Sequence, residues 1–216
     1  MSFEADRARM VEEQLRARGI AEERLLEVFR AVPRHLFVPR EFQAMAYADH
    51  PLPIGAGQTI SQPYITALMT SLLRLQGHER VLEIGAGSGY HTAILASVAL
   101  EVYAVERLSE LLELARQRLQ ETGLLNVHLR VADGSLGWPE HAPYDAIVVG
   151  ASAPAIPRPL LDQLADHGRL VMPVGDGGVQ TLVEVDRHGA TLSRKDVVGC
   201  VFVPLIGRHG WPSEPS

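Results

Sequence analysis

The stretch Val81-Leu-Glu-Ile-Gly85-Ala-Gly87-Ser-Gly89-Tyr90 limits the folds open to this chain more than any other. A short apolar run leads straight into three glycines at alternate positions, and then into a segment of helical pattern from Tyr90 to Ala99. This reads as a strand, a tight turn and a helix whose first N–H groups face outward, ready for a ligand. The alternation continues downstream. Glu101 to Val105 reads as a second strand, and Leu108 to Glu121 as a helix with Leu111, Leu112, Ala115 and Leu119 on one face. Val127 to Val131 is a third strand, and Asp145 to Val149 is apolar enough for the middle of a sheet covered on both sides. A helix over Pro159 to Ala165 precedes a fifth strand, Gly168 to Val174, after which Thr181 to Asp186 and Val197 to Leu205 follow each other without a helix. Such a pattern predicts an α/β fold: a parallel, doubly wound sheet closed by a mixed C-terminal strand pair.

The N-terminal part, residues 1–76, reads as helices and a loop. Glu4 to Arg18 has helical spacing and ends at Gly19; Ala21 to Val32 repeats the pattern and stops at Pro33; a shorter helix follows at Glu41 to Tyr47. His50 to Ser61 reads as a loop broken by two prolines and two glycines. Ser61-Gln62-Pro63 then opens a helix running to about Gln76, with a hydroxyl cap and proline in the first turn. The segment 77–207 forms the core, and Arg208 to Ser216 reads as a loose tail, so the whole of 1–216 is expected to be one domain.

The glycine turn suggests what the core binds. A dinucleotide fingerprint needs a sixth-position glycine for helix–strand packing and pyrophosphate contact, and here that position is Tyr90. Glycine falls at Gly89 instead, a form that suits a nucleoside carrying an amino acid. Glu106, 21 residues after Gly85 at a strand end, is placed to accept hydrogen bonds from ribose hydroxyls, or is simply a solvated charge. Asp133-Gly134 after the third strand can supply an acceptor for an adenine amino group, or be a common turn. From the residues alone, the reading reaches an adenosyl ligand at the carboxyl ends of the first three core strands.

Taken together these elements resemble the S-adenosylmethionine-dependent methyltransferases with a Rossmann-like core. The loop before the core resembles one family among them. Pro53-Ile-Gly-Ala-Gly-Gln-Thr59-Ile-Ser61-Gln-Pro63-Tyr is similar to the signature of the protein-L-isoaspartate (D-aspartate) O-methyltransferases. Further blocks match in order: Ala31-Val-Pro-Arg34 with Phe37-Val38, Ala142 to Ile147, Gly150-Ala-Ser-Ala-Pro154, Gly168 to Gly175, and Phe202-Val-Pro-Leu205. Ser152 stands where the family often has alanine, and Tyr64 where some members have histidine. The resemblance implies S-adenosyl-L-methionine as methyl donor, S-adenosyl-L-homocysteine as product, and isoaspartyl peptides and proteins as substrates. It implies that Ser61 is catalytic, and that Thr59, Ser61, Thr66, Gly85, Gly87, Gly89, Glu106, Asp133 and Gly134 line the cofactor. Ser61, Phe202, Val203, Pro204 and Leu205 would meet the substrate. Ser61 has a plainer reading as a helix cap.

Composition excludes other classes. Net charge is −6, with 20 basic against 26 acidic residues, which disfavours a nucleic-acid surface. Gly150-Ala-Ser-Ala-Pro154 also lacks the aromatic that would stack a flipped base. No apolar run is long enough to span a membrane, and the charged residues 1–19 hold no apolar stretch of signal-peptide type, so none is expected. Nine scattered histidines offer no metal-ligand spacing, so no metal is expected. The single cysteine, Cys200, forms no internal disulfide; a monomer in a reducing cytoplasm is the expectation.

Overall fold

The computed structural model describes residues 2–176 and 178–212. Its centre is a seven-stranded sheet. The strands, after a hairpin described below, are β3 (Arg80–Ile84), β4 (Glu101–Glu106), β5 (Val127–Val131), β6 (Tyr144–Val149), β7 (Leu164–Val174), β8 (Gln180–His188) and β9 (Thr191–Cys200). Their spatial order is β5-β4-β3-β6-β7-β8-β9. Neighbours from β5 through β7 pair in parallel, whereas β7–β8 and β8–β9 are antiparallel. The order reverses between β3 and β6, so a crevice opens beyond the carboxyl ends of those two strands, where open α/β sheets bind their ligands.

Helices cover both faces because the middle strands are apolar throughout. Val148, Val149, Ile147, Val81 and Leu82 are completely buried. On one side lie α3 (Pro63–Leu73), α4 (Tyr90–Ala96) and α5 (Ser109–Glu121). The face of α5 expected from its spacing, Leu111, Leu112, Ala115 and Leu119, is the face it buries. α3 ends at Leu73, three residues before the Gln76 boundary that periodicity suggests, and is capped by Arg74 in the left-handed region at φ 52°. Opposite, α6 (Arg158–Asp162) buries Leu160 among Tyr103, Tyr144 and Leu164.

The N-terminal segment is shorter-winded than expected. The single helix anticipated over Glu4 to Arg18 is α1 (Phe3–Arg9), a π-helical turn (Met10–Leu15) and a 3-10 turn (Arg16–Arg18). The wider turn seats Met10, Val11 and Leu15 in the core together. α2 (Glu23–Ala31) follows, then 3-10 turns at Arg34–Phe37 and Arg40–Met45, the second where a helix was expected. These elements pack Leu25, Phe29 and Phe37 against Tyr90, Ile94 and Ala115 of the core helices, so they share its hydrophobic cluster.

The proline- and glycine-rich loop of 50–61 holds a small hairpin, β1 (Leu52–Gly55) and β2 (Gln58–Ile60). Leu52, Ile54 and Ile60 all turn to the core, and this shared burial holds the hairpin despite its prolines. At the other end, the strand expected to reach Leu205 stops at Cys200. Gln180 Oε1 takes the Phe202 N–H (2.7 Å) and Pro204 has no N–H, so a regular ladder cannot continue. The chain instead crosses to Ser152, whose N–H donates to Val203 O (2.8 Å) and whose carbonyl accepts from Leu205 N–H (2.7 Å). The start of the supposed tail is also tied down: Arg208 N–H donates to Asp133 Oδ2 (2.8 Å), His209 N–H to Ser135 Oγ (3.0 Å), and Trp211 N–H to Leu205 O (2.7 Å).

Candidate active site

Three elements converge on the crevice: the turn after β3, the acidic end of β4, and the segment from β2 into α3. In the turn, Gly85, Gly87 and Gly89 all have positive φ (86°, 53° and 86°). Gly87 approaches the hairpin so closely that a Cβ there would meet Ile54 Cδ1 at 3.2 Å. Glu106 braces the turn from beside it. Its Oε2 accepts from Gly87 N–H (3.0 Å), and its Oε1 from the N–H groups of Arg107 (2.8 Å) and Leu108 (3.0 Å). A carboxylate has further lone pairs, so Glu106, which lines the cavity, can still accept from a diol.

The crevice divides into adjoining parts. The first lies between Glu106, Gly85, Gly87, Gly134 and the apolar walls Ile84, Val105, Leu205 and Ile206. The second lies on the other side of the turn, against Ser61, Thr66, Glu83, Ser88, Tyr90 and His91. The third is a cleft of about 480 Å³ bounded by Ser61, Gln62, Ile65 and Gly199 to Val203, with no charged side chain along it. Thr59 and Gly150 line all three, and Ser61 lines both the second and the third.

Ser61 is free for chemistry. α3 is capped by Gln62, with no side-chain cap hydrogen bond, so the helix-cap alternative does not hold. Among the described residues the Ser61 hydroxyl makes no hydrogen bond, while its carbonyl accepts from Arg34 Nη2 (2.7 Å).

Several expected roles move. Gly89 lines none of these cavities; it is the left-handed cap of α4, packed so close to α5 that a Cβ would stand 3.0 Å from that of Ala115. Asp133 is likewise outside the lining. Its Oδ1 accepts from the Ser135 N–H (2.9 Å) and hydroxyl (2.7 Å) and its Oδ2 from Arg208, so it anchors the chain after Leu205. Of the expected substrate wall, Phe202 and Val203 face the uncharged cleft, whereas Pro204 and Leu205 line the Glu106 side with Val203.

Sequence reasoning did not single out Gly150, Arg34, Glu83 or His91. Gly150 had a legible signal, since it follows the apolar strand β6 directly. Glu83 and His91 look like ordinary strand and helix residues until the fold turns them inward. Burial pushes the Glu83 carboxyl up to about 8; the nearby Glu106 charge adds to this, and the Thr92 hydroxyl, donating at 2.6 Å, opposes it. Burial pulls His91 down to about 4, and its Nε2 lies 3.0 Å from Thr70 Oγ1.

Glu83 gives a pH prediction. Folded Glu83 holds its proton to higher pH than the unfolded chain does. The stability it contributes is present below the ordinary value of 4.5 and is lost as pH rises through about 8. Melting curves of Glu83→Gln between pH 5 and 9 should therefore decline less with rising pH than those of the native chain. Parallel curves would show that Glu83 is ionised throughout.

The donor set fits an adenosyl ligand with an amino-acid arm. Apolar walls suit a base, Glu106 suits a ribose diol, and the Glu106 carboxyl with a bulky Tyr90 at the turn disfavours a pyrophosphate. Glu106→Ala should weaken S-adenosylhomocysteine binding by about 1.5–3 kcal/mol, the range for hydrogen bonds to a charged group. Part of that loss arises from the three N–H groups it leaves unpaired. Calorimetry with an unchanged dissociation constant would take Glu106 out of the site.

A parallel sheet with this switch point, a glycine-braced nucleoside cradle and a hydroxyl shared with a neighbouring cleft define a Rossmann-like methyltransferase. Comparison with known proteins is more specific. Residues 6–210 match the family model described as protein-L-isoaspartate (D-aspartate) O-methyltransferase, and the chain belongs to that family. It is 56% identical over 212 residues to a protein-L-isoaspartate O-methyltransferase of Trichlorobacter lovleyi, covering 98% of both chains. It is 52% identical over 211 residues to one from the archaeon Methanoculleus marisnigri, covering 98% of this chain and 96% of that one. A solved protein-L-isoaspartate O-methyltransferase superimposes with a TM-score of 0.85 at 27% identity, over 94% of this chain and 67% of the other. A Plasmodium falciparum structure described as a complex with S-adenosyl-L-homocysteine shares the fold: TM-score 0.79 at 24% identity, over 91% of this chain and 96% of that one. Among the described residues no helix is long and apolar enough to cross a membrane, and no cluster of three or more metal-ligating side chains occurs.

Proposed function

We propose that this protein methylates the free carboxylate of L-isoaspartyl residues, and of D-aspartyl residues, in damaged peptides and proteins. The resulting ester initiates their repair. S-adenosylmethionine, when bound, supplies an electrophilic methyl group on a sulfonium. Thr59, Ser61, Thr66, Gly85, Gly87, Gly134 and Glu106 are the residues we assign to hold it.

The reading rests on one observation above the rest: Ser61 lines both the glycine-turn cavity and the uncharged cleft. A group at that boundary can touch an acceptor in the cleft while it faces a donor in the cavity. The acceptor carboxylate is ionised near neutral pH, so no base is needed to activate it. Ser61 donates its hydroxyl hydrogen to one carboxylate oxygen and thereby aims the other; it is a positioning donor and forms no covalent bond. The lining of the cleft places no fixed charge beside the carboxylate, so no lining group competes with the opposite charge in the cavity.

Phe202 and Val203 border the cleft and are assigned to the peptide. The Phe202 and Leu205 N–H groups are already taken and Pro204 has none. Among the described residues the Phe202 carbonyl and the Val203 N–H, both from residues that line the cleft, have no hydrogen-bond partner, so this edge keeps one acceptor and one donor for an extended peptide. Methyl transfer to an isoaspartyl peptide, assayed beside its aspartyl isomer, tests the assignment.

A further inference from the structure

Arg34 is fully buried yet forms no ion pair among the described residues. Burial lowers its pKa only to about 10, so it stays charged at neutral pH. An unpaired buried cation is costly, and an apolar side chain of similar size would fill the space more cheaply. What the guanidinium does with its geometry is therefore informative.

Its Nε donates to Ala46 O at 2.7 Å and its Nη2 to Ser61 O at 2.7 Å. Its carbon lies 4.8 Å from the centre of the Tyr90 ring, and Tyr90 begins the helix after the glycine turn. One planar group thus touches the N-terminal segment, the serine loop and the first residue of α4. The Phe37 ring meets the same tyrosine edge-on at 5.6 Å. Tyr90, the residue that departs from the dinucleotide fingerprint, is here the π-face beneath a cation. Among the described residues Arg34 Nη1 and the Tyr90 hydroxyl are both buried without a hydrogen-bond partner, which leaves the two bonds to carbonyls as Arg34's directed contacts.

We propose that Arg34 is a positioning residue for methyl transfer, fixing the main chain of Ser61 from behind so that its hydroxyl stays aimed across the boundary between cavity and cleft. The inference rests on the role given to Ser61 above. A guanidinium holds two carbonyls with donors fixed in one plane and stacks that plane on a ring, whereas a lysine ammonium is a flexible point charge with no plane to stack and no fixed donor directions. Arg34 also explains how the N-terminal segment, which supplies little of the cavity lining, is coupled to the chemistry.

The test is a double-mutant cycle of Arg34→Lys and Ser61→Ala, assayed with an isoaspartyl peptide, with S-adenosylhomocysteine binding measured separately. In the native background Arg34→Lys should lower kcat about 10- to 100-fold, as for a reacting group displaced by roughly an ångström. Cofactor affinity should change by less than about 3-fold, because the loss falls on the chemical step. In the Ser61→Ala background the same substitution should cost less than about 2-fold, since residues acting through one another are not additive. An equal loss in both backgrounds would make Arg34 merely structural and overturn the inference alone. Native turnover in Ser61→Ala would overturn both it and the reading of Ser61. Should Arg34→Lys not fold, nuclear magnetic resonance of the native protein decides. A scalar coupling from Arg34 Nη to the Ser61 carbonyl carbon supports the bond, and guanidinium protons exchanging at solvent rates overturn it.

Discussion

Ser61→Ala is expected to lower turnover on an isoaspartyl peptide about 10- to 1000-fold, the range for loss of one preorganised donor. S-adenosylhomocysteine should bind nearly as well as before. The two parts of that expectation have separate origins. Turnover falls because the carboxylate loses the contact that selects which oxygen faces the methyl group. Affinity should fall much less because the other residues assigned to the cofactor, Glu106, the glycine turn, Thr59 and Thr66, are left in place, and none touches the serine hydroxyl through a hydrogen bond among the described residues. The fold should also be spared: the hydroxyl does not cap α3, and the Ser61 carbonyl that Arg34 holds is unchanged by the substitution. A melting temperature close to that of the native chain, with kcat reduced, separates a chemical loss from an unfolding one. Turnover at the native rate would leave Ser61 as an incidental residue of the lining.

How much of this was legible in the sequence follows from how local each signal is. The strand–glycine–helix unit at Val81 to Tyr90 is specified by neighbours in sequence: apolar residues for a covered strand, then glycines for positive φ. The structure reproduces it together with the amphipathic face of α5. The hairpin at 52–60 was not legible, because Leu52, Ile54 and Ile60 read as scattered apolar residues until α4 and the N-terminal helices offer them a common surface. The end of β9 was misplaced for a similar reason. Val201 to Leu205 is as apolar as a strand, but a distant glutamine takes one of its donors and Ser152 redirects the chain. Asp133 shows the limit of motif reasoning: the spacing places an acidic residue at the end of β5 but does not show that its Oδ2 accepts from a segment some 75 residues later. Arg34 is the extreme case. Nothing in Ala-Val-Pro-Arg marks the arginine as buried, and its partners at Ala46, Ser61 and Tyr90 become neighbours only through tertiary packing.

The other large effect concerns the choice of substrate. In an isoaspartyl residue the backbone runs through the side-chain carbonyl, so the free carboxylate is attached directly to Cα. An ordinary aspartate holds its carboxylate one methylene further out, a displacement of roughly 1.5 Å. Both forms carry the same charge, and the cleft has no charged side chain along its lining with which to weigh them. Discrimination must therefore be geometric. With the peptide held from the side of Phe202 and Val203 and the reacting oxygen placed by Ser61, as proposed above, only one branch length would satisfy both. In-line transfer needs the reacting atoms within roughly 3–3.5 Å, and a misplacement of about 1 Å already costs on the order of 100-fold. Isoaspartyl peptides should accordingly be methylated at least about 100-fold faster than their aspartyl isomers. The same ratio should hold across peptides of unrelated sequence, because the unpaired Phe202 carbonyl and Val203 N–H assigned to the peptide would meet main-chain groups that every extended peptide presents. Lengthening the reach by one further methylene is a control: a glutamate in place of the aspartate should be as poor a substrate as the aspartate or poorer. Equal rates on the isoaspartyl and aspartyl forms would mean that the cleft does not fix the backbone, and the geometric account would fail with the substrate assignment.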